Sequence, residues 1–303
     1  MNEQLCAFAQ QKLNETLKEE RLIKAIYQHN MVFITDDDKA PYLIKFVPIK
    51  DMKRLYIERD IAEYLKETTT LVMPKVILIG TFQEYGYLLR EMVEGMTLEE
   101  ALKTSNYDHA SLIEEAGYHL ARLHLKTFDD KGIIDRGLNV IPELIYTQEE
   151  FNHFLKIIEQ KNLLSIEYIR YLKSLDIDRL FGKGENVLCH ADYHLKNIIV
   201  SDDGMKSVID FEWMSSAPPY DDLAMFVLML ELEGYPELIE IFYKGYSSVK
   251  TIDKHYYENV ELFKVYRLVT MIAYQASLEQ VTMTAFFQAI RAMLDTKLNS
   301  LVK

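Results

Sequence analysis

The sequence predicts an α+β fold in which a small antiparallel sheet with one inserted helix precedes a mainly helical C-terminal part. Three observations predict it: strand-like apolar runs concentrated in the first 92 residues, helical periodicity through nearly all that follows Gly95, and a single apolar hairpin within residues 187–210.

Taken in order, residues 5–28 are charged and helix-prone. Residues 31–34 and 42–47 are apolar and flank the Asp-rich stretch 35–41, which reads as a strand pair joined by a turn. Between residues 52 and 67, Leu55, Ile57, Ile61, Ala62 and Leu65 recur at helical intervals. Residues 74–80 and 85–92 form a further strand pair. Val93-Glu94-Gly95 is the natural hinge, dividing the chain into an N-terminal part of residues 1–92 and a C-terminal part of residues 93–303. The second part carries helical patterns over residues 98–103, 109–126, 143–161, 165–181, 220–233, 236–246, 253–280 and 283–298, broken only by the hairpin.

Composition narrows the function classes. A chain of 303 residues that is 49% hydrophobic buries a substantial core. Its first residues lack a basic segment followed by an apolar one, and its longest apolar run, near residues 223–230, is far short of a membrane span, so a soluble cytoplasmic protein is expected. Two cysteines, Cys6 and Cys189, are too few for a disulfide framework and suit a reducing compartment; Cys189 reads as a buried strand residue. The net charge of −13 divides into −1 over residues 1–92 and −12 over the remainder. That balance argues against nucleic acid and favours a cationic small molecule, although acidic residues most often coat solvated helices.

Chemistry is concentrated in His190-Ala191-Asp192-Tyr193-His194-Leu195-Lys196-Asn197, then Ile198-Ile199-Val200, a turn over Ser201-Asp202-Asp203-Gly204, and Val208-Ile209-Asp210-Phe211-Glu212. Asp192 and Asn197 stand at the interval of the H-x-D-x-x-x-x-N catalytic loop of kinases, and Asp210 opens an Asp-Phe-Glu that resembles their Asp-Phe-Gly. Phosphoryl transfer needs those residue types: a carboxylate to aim the accepting hydroxyl and take its proton, and hard oxygen ligands for Mg²⁺. Lys45 is a charged residue inside the apolar run 42–47, which suits a lysine that grips phosphates; an exposed edge-strand lysine is the bland alternative. Its glutamate partner is expected on the following helix, with Glu58 favoured over Glu63 because it lies one turn into the amphipathic segment. His190, Asp192 and His194 alternate as metal ligands on one strand face do, the pattern of a metal-dependent hydrolase; that reading leaves Lys45, Asn197 and Asp210 unexplained, and His190 is better read as bracing the loop backbone. His124 reads as a packing residue at a helix C-terminus, and Tyr220-Asp221-Asp222-Leu223 as a helix start with an N-cap aspartate, one of whose carboxylates could hold the loop.

At these residues the chain resembles the aminoglycoside phosphotransferase and choline kinase-like family of small-molecule kinases. That family's loop often reads His-Gly-Asp-x-His-x-x-Asn, as residues 190–197 do with Ala191 in place of glycine, and protein kinases usually have lysine where His194 stands. Tyr220 follows Asp210 by ten residues, too few for a peptide-binding activation segment. Similarity extends to residues 120–124, 208–212 and 219–224 and to the strand order of the first 92 residues.

The resemblance implies a bilobal protein-kinase-like fold with ATP or GTP as co-substrate and Mg²⁺ as cofactor. By it, Asp192 is the catalytic base, Asn197 and Asp210 bind the metal, Lys45 grips the phosphates, Glu58 orients Lys45, and Met92 and Val93 contact the base through their backbones. The acceptor is a small hydroxyl compound, cationic by the charge argument: an aminoglycoside-like molecule, an amino alcohol or a sugar. Two departures stand out. No glycine precedes Gly80, so the phosphate-covering loop in residues 27–34 must work without one, which keeps an idle pseudokinase as the alternative. And Tyr220-Asp221-Asp222-Leu223-Ala224 has one residue more than the family's Tyr-Asp-Leu-Ala, leaving open which aspartate supports the loop.

Overall fold

The computed structural model describes residues 2–17, 24–28, 31–36, 39–135, 137–143, 145–277 and 284–302. They form two compact units, the first of residues 1–97, 135–138 and 198–212, the second of residues 98–134, 139–197 and 213–303.

In the first unit, strands β1 (Lys24–Gln28), β2 (Met31–Asp36), β3 (Lys39–Pro48), β4 (Val76–Phe82) and β5 (Tyr85–Glu91) make an antiparallel sheet of order β1-β2-β3-β5-β4. Helix α1 (Asn2–Leu17) ends earlier than its charge pattern suggests, and residues 24–28 are strand instead, because Ile26 and Tyr27 pair with Phe33 and Val32. The two faces of β3 separate by alternation. Ile44 and Phe46 pack with Leu5, Ala9 and Leu13 of α1, while Val47 packs with Leu55 of helix α2 (Lys53–Thr68) and Leu88 of β5. Lys45 shares the parity of Val47. It is therefore on the α2 side.

A second sheet of this unit joins β6 (Met96–Thr97) to the hairpin of β11 (Ile198–Ser201) and β12 (Gly204–Val208), with Ile198 opposite Val208. So the hairpin packs with the first 97 residues although it follows more than half of the second unit in sequence. Gly95 permits the junction: its φ is +141°, and a Cβ there would come within 2.4 Å of the Val200 carbonyl oxygen.

The second unit holds α3 (Leu98–Leu102), α4 (His109–Leu123), α5 (Gln148–Gln160), α6 (Ile166–Lys173), α7 (Ile177–Phe181), α8 (Tyr220–Glu233), α9 (Ile239–Ser247), α10 (Lys254–Ser277) and α11 (Ala285–Leu301). The pattern over 165–181 breaks in two because Asp176 caps α7, accepting from the Arg179 N–H. Sequence periodicity missed a sheet here. Strands β7 (Thr127–Phe128), β10 (Asn186–Cys189), β13 (Ser215–Ala217), β8 (Gly132–Ile134) and β9 (Val140–Ile141) pair in that order, and segments of two to four residues are too short to show alternation. Helix α8 is buried from Tyr220 through Leu230, including both aspartates. Among the described residues, no helix is long and apolar enough to cross a membrane.

Candidate active site

In the first unit, Lys45 gathers three carboxylates. Its Nζ lies 3.1 Å from Glu58 Oε2, 3.3 Å from Asp210 Oδ1 and 3.1 Å from Glu212 Oε2. Burial alone would lower the lysine's pKa, but Glu58, then Asp210 and Glu212, more than offset it, and the ammonium is held charged. Glu58 occupies a core position of α2, in the stripe of Leu55, Ile61 and Leu65, and is 2% exposed. A carboxylate there needs a cation. It has two, since Arg90 Nε of β5 approaches its other oxygen at 3.6 Å; Glu63, the rival candidate, is exposed.

Asp210 adopts φ +64°, a left-handed conformation that aspartate tolerates better than most residues. Burial raises the Glu212 pKa, with Lys45 opposing it. Asp210 and Glu212 bring hard carboxylate oxygens together at the Lys45 ammonium. That donor set suits a divalent ion such as Mg²⁺.

In the second unit, the loop of residues 190–197 is held by its backbone. Asp222 of α8, fully buried, accepts from the His190 and Ala191 N–H groups, both at 2.7 Å, and faces His124 Nε2 at 3.1 Å. His124 Nδ1 in turn lies 2.8 Å from the Tyr246 hydroxyl. Burial, opposed by Asp222, lowers the His124 pKa, so the ring is neutral and donates from Nε2. Neither aspartate of α8 caps it: Pro219 is the N-cap, and the carboxylates turn inward. Asp221 accepts from the Tyr146 hydroxyl at 3.1 Å and from Arg267 Nη1 at 3.3 Å; burial, opposed by Arg267, leaves it pushed up to about 6. Of the two, then, Asp222 braces the loop.

Ala191 has φ +62°, which explains why glycine suits this place in the motif. The turn it makes aims Asp192. Arg267 of α10 donates to the Ala191 carbonyl at 2.9 Å and to Asp192 Oδ1 at 3.2 Å, and His194 Nε2 is 3.4 Å from Asp192 Oδ2. Burial pushes the Asp192 carboxyl up, but His194 and then Arg267 more than offset it and hold it well below the usual carboxylate range. Asn197 spends its amide nitrogen on the Asp192 carbonyl and Oδ2, at 3.0 and 3.1 Å. Its amide oxygen is therefore the atom with lone pairs to offer.

The triplet His190, Asp192 and His194 is not gathered as a metal cluster. His190 Nδ1 accepts from the Asp192 N–H at 3.3 Å and His194 Nδ1 from the Lys196 N–H at 3.1 Å, so both rings serve the loop backbone. Among the described residues, the one trio of close ligand atoms is His124, Cys189 and Asp222, already engaged with one another's surroundings by hydrogen bonds. Met92 and Val93 form the half-buried, irregular segment after β5. His29 and Asn30, at the centre of the expected phosphate loop, lie outside the described residues.

Asp192 and Arg267 line a cavity of about 690 Å³ in the second unit, with Glu143, Glu150, His194, Trp213, Tyr266 and Tyr274 among its other walls. Sequence reasoning missed Arg90, Glu212 and Arg267. Arg90 and Arg267 do carry the signal used for Lys45, a cation inside an apolar run.

The model of the phosphotransferase enzyme family, APH, matches residues 21–259. A probable ketoamine kinase of Vibrio parahaemolyticus is 21% identical over 253 residues, which cover 78% of this chain and 80% of that one. The crystal structure of a putative fructosamine-3-kinase from Haemophilus somnus superposes with a TM-score of 0.65 at 18% identity, covering 97% of both chains. A GDP complex of aminoglycoside 2′-phosphotransferase-IIIa gives a TM-score of 0.70 at 10% identity, covering 98% of this chain and 99% of that one. The chain belongs to the phosphotransferase enzyme family and is a small-molecule kinase with a protein-kinase-like fold.

Proposed function

We propose that the protein transfers the terminal phosphate of ATP or GTP to a hydroxyl of a small molecule. The observation that carries this reading is the buried Lys45 ammonium held by Glu58, Asp210 and Glu212. A lysine fixed so firmly by one helix carboxylate, with two further carboxylates beside it, is arranged for phosphate oxygens and a metal rather than for packing. Bound Mg²⁺ would screen the phosphate charge. Asp210 and Asn197 are its proposed ligands, Lys45 grips the phosphates, Glu58 fixes Lys45, and the backbones of Met92 and Val93 meet the base. The nucleotide-binding part then comprises residues 1–92 with the hairpin that leads to Asp210; residues from 93 onward otherwise carry the loop and the acceptor pocket.

Asp192 receives the acceptor. Held ionised by His194 and Arg267, its carboxylate accepts a hydrogen bond from the hydroxyl, orients it for attack and takes its proton, while the hydroxyl oxygen bonds to the terminal phosphorus and the bond to the bridging oxygen breaks, releasing the nucleoside diphosphate. The relatives' names, ketoamine, fructosamine and aminoglycoside kinases, favour a hydroxylated acceptor that bears an amine. Two unbridged cysteines fit the cytoplasm as its place of work.

Thermal denaturation with ATP or GTP, with and without Mg²⁺, tests the reading. Saturating nucleotide at about a hundred times its Kd is expected to add about 2.7 kcal/mol. The gain should require Mg²⁺ and vanish in Asp210→Ala. No stabilisation by either nucleotide would favour an idle pseudokinase instead.

A further inference from the structure

The cavity of about 690 Å³ beside Asp192 is poor in available negative charge and rich in rings and methionines. We infer that its acceptor is an alcohol with an apolar, ring-bearing body and at most two cationic groups, an inference that rests on the kinase reading above.

The charges lining the cavity are largely committed. Asp192 is engaged by Arg267 and His194. Glu150 accepts from two neutral donors at Oε2, the Tyr266 hydroxyl at 2.9 Å and the Tyr146 N–H at 2.7 Å, which hold the carboxylate in place without cancelling its charge. Lys196 is paired with Glu99 at 3.3 Å and stands 5.7 Å over the Phe286 ring. Among the described lining residues, Glu143 is a second carboxylate with no cation beside it, and it is exposed. A molecule with several ammonium groups would therefore lose hydration at each and find, among the described residues, opposite charges for two, at Glu143 and Glu150. Every unpaired ion that is buried gives up hydration that nothing replaces.

The rest of the lining asks for apolar surface. Phe154, Met229 and Met271 face the cavity, and Trp213 and Tyr274 stand at 39% and 53% exposure with rings 6.4 Å apart and nearly perpendicular. Two large aromatic side chains left open to water beside a cavity are a surface that a ligand covers. Their faces would take an aliphatic ring, and would tolerate a cation.

Trp213 is the sole tryptophan, so its emission reports directly on this cavity. The full chain is titrated with a cyclohexyl-substituted amino alcohol bearing one ammonium and one hydroxyl, and separately with a tetra-amino aminoglycoside; nucleotide stabilisation of the same preparation is measured alongside. The amino alcohol should shift Trp213 emission saturably, bind at least ten-fold tighter than the aminoglycoside, and lose about ten-fold in affinity in Tyr274→Ala. Equal or tighter aminoglycoside binding, no amino-alcohol binding, or an unchanged affinity in Tyr274→Ala would overturn the inference. If nucleotide still stabilises the protein in a Mg²⁺-dependent way, that failure belongs to the acceptor class alone and leaves the kinase reading standing.

Discussion

Replacing Asp192 with Ala is expected to lower turnover by about 10² to 10⁴ while nucleotide stabilisation persists, because the variant removes the group that aims the acceptor and takes its proton but none that grips phosphate. Single-turnover transfer from γ-labelled nucleotide to an accepted alcohol measures it. Arg267 and His194 hold the Asp192 carboxyl below the ordinary range, so the carboxyl's protonation should not limit kcat/KM until the pH has fallen beneath the usual carboxylate window. A variant with undiminished turnover would remove Asp192 from the reaction.

Asp222→Ala is expected to be the most destabilising single change at the site. It orphans two backbone N–H groups, those of buried His190 and half-buried Ala191, and strips the neutral His124 of its acceptor. The combined penalty is about 3–5 kcal/mol, read as a lower urea midpoint, with transfer activity falling as the loop that aims Asp192 loses its anchor. Asn at 222 should recover part of the loss, since one acceptor oxygen remains while its amide would face a donor. Stability within about 0.5 kcal/mol of the parent would show that the loop is held by other means.

These two residues also mark how far the sequence could be read. Asp192 stood out because its spacing to Asn197 and the later Asp210 matches a chemistry with few geometric solutions, and Lys45 because a charge inside an apolar strand demands a reason. Glu58 was legible by the same logic, as a carboxylate in the buried stripe of an amphipathic helix. The criterion applied equally to Arg90, inside the buried run of β5, and to Arg267, between Tyr266 and Leu268 on α10, and both prove to be engaged, with Glu58 and with Asp192 respectively. Asp221 and Asp222 were indistinguishable in sequence. Only the rotation of α8 sends one to Arg267 and the other to the loop backbone, and that rotation is set by packing along the whole helix. The small sheet built from β7, β8, β9, β10 and β13 was invisible because its strands are brought together by tertiary pairing rather than by local pattern. The acceptor pocket was hidden for a similar reason: Ile133, Tyr146, Trp213 and Tyr274 share no motif and meet only in three dimensions.

A crystal structure with Mg²⁺ and a non-hydrolysable nucleotide tests the central claim most directly. Lys45 Nζ should lie within hydrogen-bonding distance of phosphate oxygens while keeping Glu58, and Asp210 should coordinate the metal at about 2.1 Å. A nucleotide bound away from Lys45, or a metal that ignores Asp210, would contradict the assignment of this chain's phosphoryl-transfer site.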